Sequence, residues 1–235
     1  MKYLCLLLML CSLCVPVLAQ EQPWCGIQVL YFQHNESTSP PGYEELINRP
    51  SGNPQVDENI TILNTNGWVL IDSYITPEYA LSQTTEDLAG LRRYRYYSYV
   101  STAVGTTQLN FTPFLRTPDG GETYFYSAIS EDINSLTATE YLTSHVSQTP
   151  LIFHNATDRI VIKVYAKTTH SSPVTVHWLY QGTSNTSHVE SGYFVCEEST
   201  MAGGGGGYAA NELPASPVIP MLGICAGIML YTRRL

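Results

Sequence analysis

Apolar and polar residues alternate along several long stretches of the chain. In "DRIVIKVYAK" (158–167), Ile160 and Ile162 fall on one face, while the lysines fall on the other. The same period of two recurs in "PVTVHWLYQG" (173–182) and "TTQLNFTPFL" (106–115). A period of two is typical of strands with one buried and one solvated face, so these stretches predict half-buried antiparallel strands.

Shorter β-prone runs add further strands, and turn signals separate them. The runs lie at 27–33, 67–74, 92–100, 123–129, 149–154 and 191–196. The turns carry the Gly, Pro, Asn and Asp residues typical of chain reversals. This spacing predicts an all-β protein, a single antiparallel β-sandwich or jelly-roll-like domain at about 25–196. The two candidates for helix are 130–142 and a weaker piece at 85–90.

Changes in composition divide the chain into five parts. An apolar run that ends in small residues is typical of a signal peptide, and runs rich in Gly or in Pro and Asn are typical of linkers and irregular segments. The predicted parts are a signal peptide at 1–19, an N-terminal strand and irregular arm at 20–66, a β-sandwich core at 67–196, a Gly-rich linker at 197–216 and a hydrophobic anchor segment at 217–235.

Cysteine usage agrees with export to an oxidising compartment. Apart from the predicted signal peptide and the apolar tail, the chain keeps only Cys25 and Cys196. Two cysteines at the two ends of a secreted domain predict a disulfide between them, and the alternative is two unpaired thiols.

Five N-x-S/T sequons predict a glycosylated surface and a eukaryotic secretory pathway, or a virus that uses one. The sequence carries them at Asn35, Asn59, Asn110, Asn155 and Asn185. Asn110 falls on the outward phase of its predicted strand, where a glycan needs to lie.

The apolar tail predicts membrane attachment by one of two routes. "PVIPMLGICAGIMLY" has fifteen residues, fewer than the roughly twenty that a single span needs. A polar spacer followed by a short apolar tail is typical of a GPI-anchor signal. Arg233 and Arg234 favour instead a cytoplasmic stop after a transmembrane segment. Either route places the protein at the extracellular face of the plasma membrane or on a viral envelope.

The charge balance argues against nucleic acid as a partner. From Cys25 to Cys196 the chain has eight Lys and Arg residues and sixteen Asp and Glu residues, a net charge of −8. Nucleic-acid-binding domains are normally basic, and a secreted chain meets little nucleic acid.

The densest basic cluster, "RRYRYYSYV" (92–100), is predicted to be a strand. Its period of two puts Arg93, Arg95, Tyr97 and Tyr99 on one face, and uncompensated arginines seldom enter a core. We therefore expect this face to be wet and suited to binding a glycan or a surface protein. The alternative is an outer sheet face whose arginines pair with acids on neighbouring strands.

The sequence offers no catalytic motif. It lacks the G-x-S-x-G elbow and the H-E-x-x-H zinc motif, and its six histidines have no metal-ligand spacing. Three carboxylate pairs are candidates for glycoside hydrolysis: Asp57 with Glu58, Asp119 with Glu122, and Glu131 with Asp132. All three lie in turn-like or helix-start contexts. We predict no catalytic residue, no metal site and no cofactor.

Residues 97–191 contain "GTT", the "RTPDGGET" hairpin, the "TDRIVIK" strand, "PVTV" and the "GTSNTSH" turn. With these parts the run resembles β-sandwich domains in structural and tail-fibre proteins of tailed phages. The resemblance implies a surface-display module that assembles or attaches and does not catalyse. The signal peptide, sequons, cysteines and anchor depart from a phage fibre and fit a eukaryotic cell-surface protein or a large-virus glycoprotein.

The function predicted from these features is recognition or attachment by a non-enzymatic surface glycoprotein, with glycan binding as a candidate activity. The second candidate is a purely structural coat or extracellular-matrix protein. The third candidate is a secreted hydrolase.

Overall fold

The computed structural model describes residues 26–36, 40–80, 86–87, 91–146, 151–153 and 155–195, which belong to one compact unit, Met1–Glu197. The all-β prediction is confirmed, since the helical structure in these ranges is one 3₁₀ turn, Asn64–Asn66. The strands in chain order are β1 (Gly26–Glu36), β2 (Glu44–Ile47), β3 (Val56–Ile62), β4 (Val69–Ile75), β5 (Glu86–Asp87), β6 (Leu91–Val100), β7 (Thr107–Arg116), β8 (Glu122–Tyr124), β9 (Ala128–Ile129), β10 (Thr139–Val146), β11 (Leu151–Ile152), β12 (Arg159–Thr168), β13 (Val174–Tyr180) and β14 (His188–Val195).

The strands form two layers joined through one short strand. Hydrogen-bonded neighbours run β3-β13-β6-β14-β1 in the first layer and β4-β12-β7-β8 in the second, and β2 bonds both β1 and β4. The strand pairs of the described residues are antiparallel except β2 with β4, which are parallel. The predicted antiparallel sandwich therefore holds everywhere but at this junction.

Aromatic side chains fill the space between the layers. The ring of Phe32 in β1 lies 4.7 Å from that of Tyr74 in β4 and 5.2 Å from that of Trp178 in β13. The ring of Phe111 in β7 stacks at 4.6 Å on Tyr94 in β6. Each contact except that of Phe32 with Trp178 joins the two layers, and inward-facing side chains of two sheets build a sandwich core in this way.

The stretch "RRYRYYSYV" forms β6 in the predicted phase. Tyr94, Tyr96 and Val100 are buried, whereas Arg93 and Arg95 are exposed. β6 bonds β10 along one edge and successively β14 and β13 along the other, so its inward face lies at the centre of the first layer.

The predicted helix at 130–142 is wrong, because its polar side chains bond the backbone of a strand instead. Ser130 Oγ accepts a hydrogen bond from the Leu109 N–H at 2.9 Å, and Asp132 Oδ1 accepts one from the Thr107 N–H at 2.7 Å. Ser and Asp side chains compete with helix formation by such bonds. The segment runs irregularly along β7 until β10 begins at Thr139.

Two smaller predictions also need correction. Of the weak helix at 85–90, Glu86–Asp87 form β5, and the rest lies outside the described residues. The irregular arm at 20–66 contains β2 and β3. The sequence pattern did not predict β3, because this strand carries polar side chains at Asp57, Asn59 and Thr61 on its outer face. Among the described strands it pairs with β13 alone.

Cys25 and Cys196 lie outside the described residues, and their disulfide remains a prediction. The register nearby supports it, because Gly26 of β1 stands opposite Phe194 of β14. The chain positions next to the two cysteines therefore belong to neighbouring strands. Peptide mapping without reductant is expected to recover one peptide pair joined through Cys25 and Cys196. Recovery of both cysteines as alkylated free thiols would contradict the pairing.

Candidate functional site

Three carboxyl groups from three strands interact on the inner side of the sandwich. Asp72 of β4 stands two residues before the fully buried Tyr74 and shares its face. Glu58 of β3 shares a face with the buried Ile62, and Glu44 of β2 has a side chain 17% exposed. Glu44 and Glu58 both act electrostatically on Asp72. The junction of the two layers therefore holds an acidic cluster, defined as Glu44, Glu58 and Asp72.

Burial raises the pKa of the Asp72 carboxyl from 3.8 to about 6. The Ser73 N–H, which donates to Asp72 Oδ1 at 2.7 Å, acts against this rise, and the charges of Glu44 and Glu58 add to it. A carboxyl that titrates near pH 6 is present in both forms under mildly acidic conditions, so it can give or accept a proton. Perturbed carboxyls of this kind are typical of acid–base sites.

Hydrogen bonds connect the acidic cluster with the centre of the core and with solvent. Trp178 Nε1 donates to the Tyr74 hydroxyl at 2.8 Å, and the Tyr74 hydroxyl acts to lower the pKa of Asp72. The rings of Tyr74 and Tyr180 lie 5.4 Å apart, edge to face. The Tyr180 hydroxyl lies 3.3 Å from Nδ1 of His34. Burial raises the pKa of both tyrosines, so they stay neutral at any physiological pH.

His34 closes the site on the solvent side. Its Nδ1 lies 3.3 Å from Oε1 of Glu44, and its side chain is 55% exposed. The site therefore combines carboxyls for proton transfer with a histidine open to water. In the described part of the chain, no group of three or more His, Cys, Asp or Glu side chains is arranged to hold a metal ion.

The residues predicted to form a binding patch lie together on the outer face of β6, and each bonds an acid. Arg93 pairs with Glu190 at 3.6 Å, and Arg95 pairs with Glu140. The Tyr97 hydroxyl donates to Glu140 at 2.8 Å, and the Tyr99 hydroxyl donates to Asp57 at 2.8 Å. These contacts match the alternative in which the arginines pair with acids on neighbouring strands.

Asp57 and Glu58, adjacent in the sequence, take part in two different arrangements. Glu58 faces inward to the acidic cluster. Asp57 faces outward, where its Oδ1 lies 2.8 Å from Nδ1 of His177. The His177 ring stacks on that of Tyr99 with centroids 3.9 Å apart. The turn predicted for this carboxylate pair is thus a strand, and its two members serve opposite faces.

Four of the five sequons have asparagines at least partly open to solvent. These are Asn35, Asn59, Asn155 and Asn185. Asn110 is only 7% exposed, and its Nδ2 donates to Ser127 Oγ at 3.4 Å. The solvent-exposed position predicted for Asn110 is therefore not found, and the folded protein offers no room for a glycan there.

The predicted signal peptide, Gly-rich linker and anchor segment lie outside the described residues. Within the described ranges, no helix combines the length and apolar character needed to cross a bilayer.

Comparison with known proteins finds structures of similar fold but does not assign the chain to a family. No family model matches the sequence, and no curated protein matches it either. An aminopeptidase from a marine sediment Thaumarchaeota archaeon has a TM-score of 0.52 at 9% identity, over 72% of this chain and 37% of its own. An alpha-amino acid ester hydrolase has a TM-score of 0.50 at 12% identity, over 71% of this chain and 36% of its own. The chain thus spans little more than a third of either enzyme.

A viral likeness is present only at a coarse level. The VP2 subviral particle of infectious bursal disease virus matches with a TM-score of 0.26 at 12% identity, over 63% of this chain and 43% of its own. This score is too low to carry an argument about function. The specific resemblance to tailed-phage proteins stays a prediction.

The likeness to enzymes corrects the predicted function. Both structures that reach a TM-score of 0.50 in the preceding comparison are hydrolytic enzymes. The prediction of a non-enzymatic recognition protein is therefore wrong, and the hydrolase, the third candidate, is better supported. Sequence reasoning missed Glu44 and Asp72 because they lie 28 residues apart on different strands, outside any local motif.

Proposed function

We propose that this chain is the β-sandwich part of a hydrolase in which Asp72 acts as the general acid. The observation that carries the proposal is the environment of Asp72, a partly buried carboxyl that feels the charges of Glu44 and Glu58 and has a pKa of about 6. The fold shared with an aminopeptidase and an ester hydrolase supports this class of reaction.

Hydrolysis of an ester or amide needs one group to protonate the leaving atom and another to accept a proton from water. In the proposed reaction, neutral Asp72 donates its proton to the leaving oxygen or nitrogen. The Glu44 carboxylate accepts a proton from the water that attacks the acyl carbon. The bond between the acyl carbon and the leaving atom breaks, and the water oxygen enters the new carboxylic acid. Each turnover leaves Asp72 ionised and Glu44 protonated.

The charge of the site favours a substrate with a cationic amino group. Glu44 and Glu58 supply negative charge at partly buried positions, where charge interactions are stronger than in water. Amino acid esters and peptides with a free amino terminus are such substrates, and the names of both similar enzymes fit them.

Export to the cell surface is part of the proposal. The apolar N-terminal run, four accessible sequons and the apolar tail support it. A mildly acidic extracellular or endosomal setting would suit a carboxyl that titrates near pH 6.

The test uses the full chain from a secreting eukaryotic host, assayed at pH 5–7 with amino acid methyl esters and amino acid p-nitroanilides. Each substrate is supplied with a free and with an acetylated amino group. We expect turnover of the free amino compounds, and Asp72→Asn is expected to lower kcat/KM by about 10²–10⁴-fold.

Asp57→Asn is the matched control, because Asp57 lies next to Glu58 on β3 but faces away from the site. It should leave kcat/KM unchanged. Equal rates for Asp72→Asn and the unaltered chain, or no turnover of any of these substrates, would overturn the proposed function.

A further inference from the structure

The outer face of the first layer carries a row of three side chains on neighbouring strands. His177 of β13 stands directly opposite Asn59 of β3 on one side and Tyr99 of β6 on the other. Residues directly opposite one another in antiparallel strands have Cβ atoms about 4.5–5.5 Å apart on the same face. Asn59 is exposed, and the His177 side chain keeps 20% of its surface open to solvent.

His177 and Tyr99 form an ordered ring pair beside Asn59. Their rings are stacked with centroids 3.9 Å apart and planes 9° apart. Asp57 holds both rings, since its Oδ1 lies 2.8 Å from Nδ1 of His177 and its Oδ2 accepts from the Tyr99 hydroxyl at 2.8 Å. Because the ring pair is already fixed, a group that packs on it orders few further side-chain rotamers.

Asn59 differs from the other four sequon asparagines in the bonding of its side-chain amide. The Nδ2 atoms of those four donate within the fold: Asn35 to Glu45 at 3.2 Å, Asn110 to Ser127 at 3.4 Å, Asn155 to Asp158 at 3.3 Å and Asn185 to Gln55 at 3.1 Å. The side-chain amide of Asn59 has no hydrogen-bond partner among the described residues. A sugar on Nδ2 of Asn59 therefore breaks no hydrogen bond of the fold.

We propose that Asn59 carries an N-linked glycan whose first N-acetylglucosamine packs on the ring pair and thereby stabilises the folded protein. The C–H groups of a sugar ring are apolar, so they lose water favourably on an aromatic surface, and the negative face of that surface attracts them. The inference rests on the export included in the proposed function and is independent of the hydrolysis.

The modification takes its sugar from a polyprenyl diphosphate that carries an oligosaccharide, the co-substrate of N-glycosylation. Nδ2 of Asn59 forms a bond to C1 of the first N-acetylglucosamine, and the bond between C1 and the diphosphate oxygen breaks. The diphosphate leaves with the bonding electron pair, and the amide gives up one proton. Thr61 completes the sequon that directs this reaction to Asn59.

The experiment uses the full chain, secreted by a eukaryotic host that adds only high-mannose glycans, and needs no substrate. Glycopeptide mass spectrometry measures the occupancy of each sequon. An endoglycosidase then trims each glycan to one N-acetylglucosamine, and urea unfolding is measured at pH 7. Asn59→Gln is expected to raise the equilibrium constant of unfolding about two- to tenfold, the size of one aromatic contact. In a His177→Ala background the same change is expected to have less than about a twofold effect.

Two further variants serve as matched controls. Asn185→Gln removes a sequon in the loop between β13 and β14, so the equilibrium constant of unfolding should stay within about twofold of that of the unaltered chain. Tyr99→Phe keeps the ring and loses only the hydroxyl bond to Asp57, so Asn59→Gln should retain its full effect in that background. If His177→Ala does not fold, the unaltered chain and Asn59→Gln are compared after expression with an inhibitor of N-glycosylation. Those two proteins should unfold alike.

Three results would overturn the inference alone: an empty Asn59 on a chain whose other sequons are occupied, an effect of Asn59→Gln that is equal with and without the His177 ring, or a difference that persists without glycans. Five empty sequons would overturn the proposed export as well. The hydrolysis is tested separately by the substrate assay, so its failure is distinguishable from each of these results.

Discussion

Phe111→Ala is expected to lower the free energy of unfolding by about 3–5 kcal/mol, the cost of removing a large buried aromatic side chain. Phe111 has no exposed surface. Its ring lies 4.6 Å from that of Tyr94, 4.9 Å from that of Tyr96 and 5.7 Å from that of Trp178. The substitution thus removes the ring of β7 that contacts three rings of the opposite layer.

Denaturant unfolding at pH 7 measures this loss. Tyr124→Ala is the control, since Tyr124 belongs to the same layer but is 56% exposed. Its free energy of unfolding should stay within about 0.5 kcal/mol of the unaltered chain. A similar loss of unfolding free energy in both variants would contradict the expectation, because it would show that the buried aromatic residues do not stabilise the sandwich more than an exposed tyrosine does.

Asp72→Asn is expected to raise the free energy of unfolding at pH 8 by about 2–3 kcal/mol, even as it lowers the proposed activity. The pKa of Asp72 is about 6 in the folded protein and 3.8 for the free side chain. One pKa unit corresponds to about 1.4 kcal/mol, so burying the ionised carboxylate carries a cost of this size. An amide has no charge and avoids it.

The pH window follows from the same values. Between pH 4 and 6 the unfolded chain has released its proton while the folded protein still holds it, so stability falls as the pH rises through this range and then levels off. The gain in free energy of unfolding that Asp72→Asn produces should therefore be small at pH 4 and reach its full size above about pH 6.5.

Urea unfolding of both proteins across pH 4–8 checks this expectation. Asp119→Asn is the control with the opposite sign, because bonds from Thr117 and the Gly121 N–H lower the pKa of Asp119 in an exposed turn. The free energy of unfolding of Asp119→Asn should not exceed that of the unaltered chain at high pH. A constant difference between Asp72→Asn and the unaltered chain at every pH would mean that Asp72 titrates normally.

Much of the fold could be predicted because buried and solvated positions alternate in the sequence. In β6 the period of two identifies the buried face, since one face of the strand packs on the core. In β12 the alternation holds from Ile162 to Thr168, whereas Arg159 and Val161 on the other face are buried too. The prediction failed at Asn110, where the same alternation holds but the outer position is buried as well. It also failed at 130–142, because the bonds that Ser130 and Asp132 make to a distant strand are invisible locally.

The acidic cluster could not be predicted for a different reason. Glu44, Glu58 and Asp72 come together through the pairing of β2 with β4 and the packing of β3, which are tertiary events. Burial is also the main cause of the raised pKa of Asp72, and a sequence does not show burial of a single acid. Local sequence motifs identify functional residues that lie close together in the chain. Glu44, Glu58 and Asp72 lie far apart in the chain, so no local motif contains them.

The short strand β2 has a consequence for how the protein would lose the proposed activity. It bonds β1 in one layer and β4 in the other, and it also carries Glu44. If the two layers separate, the bonds of β2 break and Glu44 leaves Asp72 in the same event. Inactivation by heat or denaturant should then coincide with unfolding, with no intermediate that keeps its sheets but has lost its site. The junction between the two layers and the acidic cluster should therefore unfold together, as one cooperative unit.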